Sequence, residues 1–265
     1  MILRRIKAHV QKEDWFAVFI DFIIVVFGVG MALLAEQWIS NRQQAGELAE
    51  VEILIRDDLY TTYSSAKERL AISECRKART RELATLLTIP GDTWIGTPWV
   101  GGENNWQPEL ARVMRSPFRT WGSRAWEAEQ GRSTMDQMSA ERRKALDVVF
   151  NMAKGVQDFQ LRIFSYEARL KTLALTIEIT PSDRLRYYDI LSETDAFISL
   201  VELASGLIIG NIEAIGLEYG AVARGQLRKD LAEQNERLST VYGACYNPII
   251  VPFLEENKAE VETTQ

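Results

Sequence analysis

WFAVFIDFIIVVFGVGMALL, residues 15–34, is a run of twenty positions with one charged side chain, Asp21. At about 1.5 Å per residue a helix of this length covers roughly 30 Å, the depth of a bilayer's hydrocarbon core. Trp15 and Trp38 bracket the run, as indoles do at the two edges of a membrane. A core helix of a soluble protein would carry a polar stripe, and none interrupts these residues. The flanks set the orientation. Arg4, Arg5, Lys7 and Lys12 precede the run, whereas the twenty residues after Trp38 hold only Arg42 and Arg56. The positive-inside rule then puts the N-terminus in a bacterial cytoplasm and the bulk of the chain in the periplasm. A cleaved signal peptide is the competing reading. The run is longer than a usual signal core, and Leu33-Leu34-Ala35 lacks the small residue expected three places before a cut, so the expectation is a retained inner-membrane anchor over 15–38.

The span is polarised around its axis. At about 100° per residue, Ala17, Asp21, Gly28, Ala32 and Ala35 fall within about 60° of one another. Gly28 and Ala32 have the small-xxx-small spacing that lets two membrane helices approach closely, and an intramembrane carboxylate is costly against lipid. This face is therefore expected to meet another transmembrane helix, of a second copy or of a different protein. Chance placement of small residues is the bland alternative. Before the span, Ile2, Leu3, Ile6 and Val10 recur at helical spacing with the basic residues on other faces. Residues 1–14 either lie on the inner leaflet and attract anionic lipid or only set the topology.

The rest of the chain has the make-up of a globular protein: 265 residues, 46% hydrophobic and 26% charged. The net charge of -6 argues against nucleic acid as the main partner. From residue 36 to about residue 87 there is no proline. Leu48, Val51, Ile55, Leu59, Thr62, Ala66 and Leu70 keep a helical spacing, and the spacing predicts that the span continues outward as one long helix. Pairs such as Glu68 with Arg69 read as solvated surface. Ile89-Pro90-Gly91-Asp92 ends the helix.

Residues 90–120 break the pattern, with four prolines, four glycines and Trp94, Trp99 and Trp106. Such a loop is either packed across the helices or used for recognition of a glycan, peptide or protein. A short helix is expected within 120–131 and a long one from the N-cap Ser139 to residue 179, closed by Pro181, with Ser182 and Asp183 offering a fresh N-terminal cap. The apolar stretch 197–217 contains Glu202, Asn211 and Glu213, which makes a core helix a cheaper home for it than a second membrane crossing. Gly206, Gly210 and Gly220 suggest close helix contact. Residues 255–265 read as an acidic, disordered tail. The fold expected is mainly α: the anchor helix continuing into an antiparallel bundle, residues 39–254, crossed by an irregular loop.

Chemistry is scarce. His9 is the only histidine. No Walker A, GxSxG, HExxH or EF-hand pattern occurs, so no catalytic, metal-binding or cofactor-binding residue is nominated. Ser64-Ser65-Ala66-Lys67 holds a Ser-x-x-Lys spacing without its companion motifs. Cys75 and Cys245 would be free to pair in an oxidising compartment, with two buried free thiols as the alternative.

The opening LRRIKAHVQKEDWFAVFIDFIIVVFGVGMALLAEQW resembles the N-terminus of a family of bacterial single-span membrane proteins whose function is unknown. The later stretch SRAWEAEQGRSTMDQMSAERRKALDVVF resembles the same family more loosely, through Trp126, Gly131 and the helix from Ser139. The resemblance implies an anchor and a helical exported domain and transfers no active site. Typical members carry Asn after the membrane-edge Trp, where this chain has Trp38-Ile39-Ser40-Asn41. The readings together point to a non-catalytic accessory or scaffold subunit of a membrane complex, with a sensor or ligand-binding module as the alternative.

Overall fold

The computed structural model describes residues 15–99 and 110–255 and, except at 15–18 and 21, their side chains. The basic segment 1–14, Trp106, residues 256–265 and the side chains of Ala17 and Asp21 lie outside the described residues.

The chain is mainly α. Six helices are described: α1 Trp15–Ala71, α2 Ser73–Thr88, α3 Arg124–Glu129, α4 Ala140–Leu170, α5 Pro181–Ile215 and α6 Ala221–Tyr242. The sheet is one antiparallel pair, β1 Thr93–Trp94 with β2 Ile177–Glu178, in which Trp94 faces Ile177. At 57 residues, α1 is roughly 85 Å long. Its first half stands clear of the rest, and its second half belongs to the core: Ile55, Leu59, Thr62, Tyr63 and Ala66 are all buried. These positions recur every three or four residues, as one face of a helix requires. The helix does not run unbroken to residue 87. It turns at Ile72, and the carbonyl of Ala71 accepts the N–H of Asn247 instead. The disulfide between Cys75 and Cys245 sits beside that bond and ties the C-terminal segment to α2.

Side-chain contacts give the register of the long helices. Arg142 pairs with Glu52 and Gln160 meets Arg69, so α4 runs in the same direction as α1. Tyr63 meets Glu213, Arg76 meets Glu202 and Asp195, and Arg184 meets the carbonyl of Leu86; α5 therefore runs the opposite way. α6 returns beside α1, with Gln234 against Glu68.

Two helix boundaries differ from the sequence reading. α4 stops at Leu170, well short of residue 179. The Leu173 carbonyl is taken by the Trp94 indole and the Thr97 N–H, and residues 177–178 are drawn into the pairing with β1. The β-branched residues Thr172, Thr176, Ile177 and Ile179 favour that outcome. α5 is capped by Thr180, with Pro181 at the first helical position and Asp183 completing a capping box.

The irregular segment on either side of residues 100–109 lies across the helices, and close backbone approach demands glycine at two points. A Cβ on Gly122 would sit 2.6 Å from the Asp58 carbonyl oxygen, and one on Gly96 would sit 2.5 Å from that of Ala174. By contrast Gly206 and Gly210 on α5 face open space, so contact within the chain is not what they serve. Gly122→Ala is expected to cost about 1–3 kcal/mol in denaturant unfolding, because α1 and the crossing strand must separate. Gly225→Ala, exposed in the second turn of α6 with nothing within 4 Å of the added Cβ, is expected to gain about 0.5–1 kcal/mol.

Candidate functional site

The crossing segment exposes the question of where its backbone hydrogen bonds go, since a buried carbonyl without a partner is costly. Arginines from three helices answer it. Arg184 of α5 donates to the carbonyls of Leu86, Gly91 and Thr93. Arg79 of α2 donates to those of Thr97 and Val113. Arg69 of α1 donates to the Pro117 carbonyl and to the Gln160 side chain. One guanidinium carries five N–H donors in a fixed plane, which suits irregular carbonyls that no helix or strand can reach.

Around Arg69 the polar side chains form a cluster inside the protein. Glu68 is 1% exposed, Arg69 4% and Gln160 2%. Arg119 grips Glu68 with two bonds of 2.7 Å, and Gln160 both accepts from the Arg119 N–H and donates to its carbonyl. Ser116 donates to Glu167. Burial lowers the pKa of Arg69 to about 10, against the pull of Glu68 and Glu167. Burial raises that of Glu167, with the Ser116 hydrogen bond and Arg69 opposing. Burial also lifts the Tyr242 phenol to about 12. Glu68 is paired with Arg119, while Arg69 is held by a carbonyl and a carboxamide and Glu167 by a hydroxyl. The chemistry of the cluster is that of a lock on the crossing segment. The solvated-surface reading of Glu68 and Arg69 is thus corrected: the loop arrives from far along the chain and covers them. Four prolines in a loop with arginines on the neighbouring helices were the available signal.

Two tryptophans of the expected recognition loop, Trp94 and Trp99, are described, and both pack against the helices. Trp94 is 3% exposed with its indole N–H on the Leu173 carbonyl, so it is a core residue with no face for a ligand. Trp99 is half-buried edge-on to Tyr242. Trp126, which stacks on Phe150, floors an open pocket of about 450 Å³ with Met135, Arg132, Asp136, Arg143, Lys144 and Asp147 around it. Most of these charges are already engaged: Arg143 with Asp136 at 3.3 Å, Arg132 with Glu129 at 2.9 Å, and Asp147 with Gln130. No three metal-ligating side chains come together among the described residues.

On α1, Gly28 has nothing within 4 Å of a built Cβ, and Phe22, Phe27, Met31 and Leu34 are each more than 60% exposed. Ala32 and Ala35 lie on the same bare stretch. Arg42 stacks over Trp38 at 5.1 Å, where the bare stretch begins. No family model, curated protein or solved structure matches the chain.

Two consequences are measurable. Arg119→Met, which strands the buried Glu68 carboxylate, is expected to destabilise the fold by about 3 kcal/mol, and adding Glu68→Leu should recover most of that loss in the same unfolding assay. Because the Glu167 pKa is raised by folding, its contribution is fully favourable only below the unfolded carboxylate range and is lost as pH rises through the folded value. The stability of Glu167→Gln relative to wild type should therefore improve between about pH 4 and pH 8, by thermal melts at each pH.

Proposed function

We propose that this chain is a non-catalytic scaffold or accessory subunit of a bacterial inner-membrane complex, held by residues 15–38 with its helical bundle outside the cytoplasm. The observation that carries the reading is α1 itself. One continuous helix has a first half whose described apolar side chains lie exposed and a second half that joins the core. An exposed apolar surface of that extent is not kept in water, and its length suits a bilayer. The other apolar helix, α5, is a different case. Its inner face is in the core, and Glu202 and Glu213 are held by Arg76 and by Tyr63 with Lys67. Tyr63 is 25 positions beyond Trp38, so the near end of α5 stands roughly 35 Å past the membrane edge along α1. A second crossing does not fit that register.

The Cys75–Cys245 disulfide supports an oxidising compartment, since such bonds do not persist in a reducing cytoplasm. The span's stripe of Ala17, Asp21, Gly28, Ala32 and Ala35 supplies the face on which a partner helix would pack. The basic residues before it would stay with the anionic inner leaflet. A ligand-binding module is the second reading, favoured by the open pocket at Trp126, whose volume is in the range of small-molecule sites.

The test joins topology to partnership. Protease added to intact spheroplasts should degrade the body, and purification in mild detergent should yield a stoichiometric membrane-embedded partner that Gly28→Leu removes. A body protected from protease, or a chain found in the aqueous fraction, would sink the proposal.

A further inference from the structure

After α6 the chain leaves the helical pattern and runs back along the bundle. Cys245 is bonded to Cys75, and the Asn247 N–H is held by the Ala71 carbonyl, so this segment starts at the break after α1. It reaches Tyr60 and Tyr63, where Phe253 packs with ring centres 6.4 and 5.1 Å away. Tyr246 and Val251 have extended backbone, no helix or strand lies between them, and Pro252–Leu254 forms a single 3-10 turn. The side chains alternate. Ile249 is 4% exposed, Ile250 61% and Val251 2%, the period of two of an extended chain laid on a surface. Pro248 and Pro252 carry no N–H, which spares a chain without a partner strand two unmet donors.

One side chain of α6 meets the middle of this backbone. Asn235 Oδ1 accepts the Ile249 N–H at 2.8 Å, and Asn235 Nδ2 donates to the Ile249 carbonyl at 3.0 Å. The Tyr246 hydroxyl donates to the same Oδ1. A carboxamide that takes both backbone groups of one residue fixes the direction and register of an extended chain whatever side chain that residue bears. α6 buries only Leu231, Leu238 and Val241, and its backbone lies closer to this segment than to any long helix. Residues 246–254 therefore fill a cleft that α1 and α6 do not close between them.

We propose that this cleft is a binding site for an extended apolar peptide, occupied here by the chain's own residues 246–254, and that a segment of the same pattern from a partner protein can take their place. The pattern is an aliphatic residue in the Asn235 bracket, a second two places on, and an aromatic ring two places beyond that. Ile249, Val251 and Phe253 hold those positions, and the rings of Tyr60, Tyr63 and Tyr219 receive the third. The disulfide fixes the resident segment at its Cys245 end, so a competitor enters from the Phe253 end. This reading does not depend on the membrane anchor.

The full-length chain in detergent tests it. By hydrogen exchange, the amides of Asn247, Ile249 and Val251 should open at least about a hundredfold more readily than those of residues 55–66, as a reversible strap requires. Ile249→Asp combined with Val251→Asp should free the segment, because two carboxylates cannot be buried there unpaired, and should leave a cooperative melt. A fluorescent peptide YNPIIVPFL, the sequence of residues 246–254, should bind that variant. It should bind the wild-type chain at least about tenfold more weakly, since the resident segment competes at high effective concentration. Adding Asn235→Ala to the opened variant should weaken the peptide by about tenfold, and a scrambled peptide should not bind. Exchange of the strap in step with the core overturns the proposal, as does an opened variant that no longer folds, because the segment is then core. An opened variant that binds no peptide, binds the scrambled one equally or is indifferent to Asn235 overturns it as well. None of these outcomes bears on the anchor or on a partner within the membrane.

Discussion

Irregular backbone laid over helices creates hydrogen-bonding demands that neither a helix nor a sheet can meet, and much of this protein is arranged around meeting them. The segment on either side of residues 100–109 offers carbonyls at Gly91, Thr93, Thr97, Val113 and Pro117, and each is taken by an arginine rooted in a helix. The arginines in turn need burial to be tolerable, so carboxylates and a carboxamide gather: Glu68, Glu167 and Gln160 around Arg69 and Arg119. The cluster is not an ornament on a hydrophobic core. It is what allows Val113, Met114 and Trp121 to be part of that core at all, because their backbone comes in with no regular partner.

The same constraint explains why the helices stop where they do. α4 gives up its helical pattern after Leu170 so that the Leu173 carbonyl can serve Trp94 and Thr97. α1 breaks at Ile72, and the freed Ala71 carbonyl receives the N–H of Asn247, which brings Cys245 to Cys75. α3 has no side-chain cap of its own; Asp58, from α1, accepts the Ala125 N–H. In each case a local ending is completed by a residue distant in sequence. The ends of the helices and the path of the crossing segment therefore depend on one another, and a disturbance in either is felt in both.

How far the sequence revealed this follows from the range of the forces involved. The helical periodicity of Ile55, Leu59, Thr62 and Ala66 and the cap at Ser139 are local, and both are where the spacing put them. The mainly α class followed from such patterns. What local reading could not supply was the covering of Glu68 and Arg69, since nothing in their neighbourhood marks them as different from Lys77 and Arg81. Their burial is decided by Arg119 and Gln160, 51 and 91 positions away. Trp94 stayed open to packing or recognition for the same reason: an indole in a glycine-rich loop is not placed until its acceptor, 79 positions on, is known. Of the span's stripe, Gly28, Ala32 and Ala35 stand on bare helix, while the side chains of Ala17 and Asp21 lie outside the described residues.

The two apolar surfaces left uncovered, the first half of α1 and the outer seam of α5, ask for different solvents, and their side chains show it. Along the first half of α1 the exposed residues are large and spread around the helix, Phe19, Phe22, Ile24, Phe27 and Met31 among them, with the small residues Gly28, Ala32 and Ala35 on one line between them. On α5 the exposed apolar residues keep to a stripe at heptad steps, flanked by Asp195, Glu202 and Glu213, which are paired within the chain, and ended by the exposed Glu193 and Asp189. A lipid chain has no need of register, whereas another helix does. The difference in periodicity, rather than the amount of hydrophobic surface, separates a helix built to be surrounded from one built to be matched.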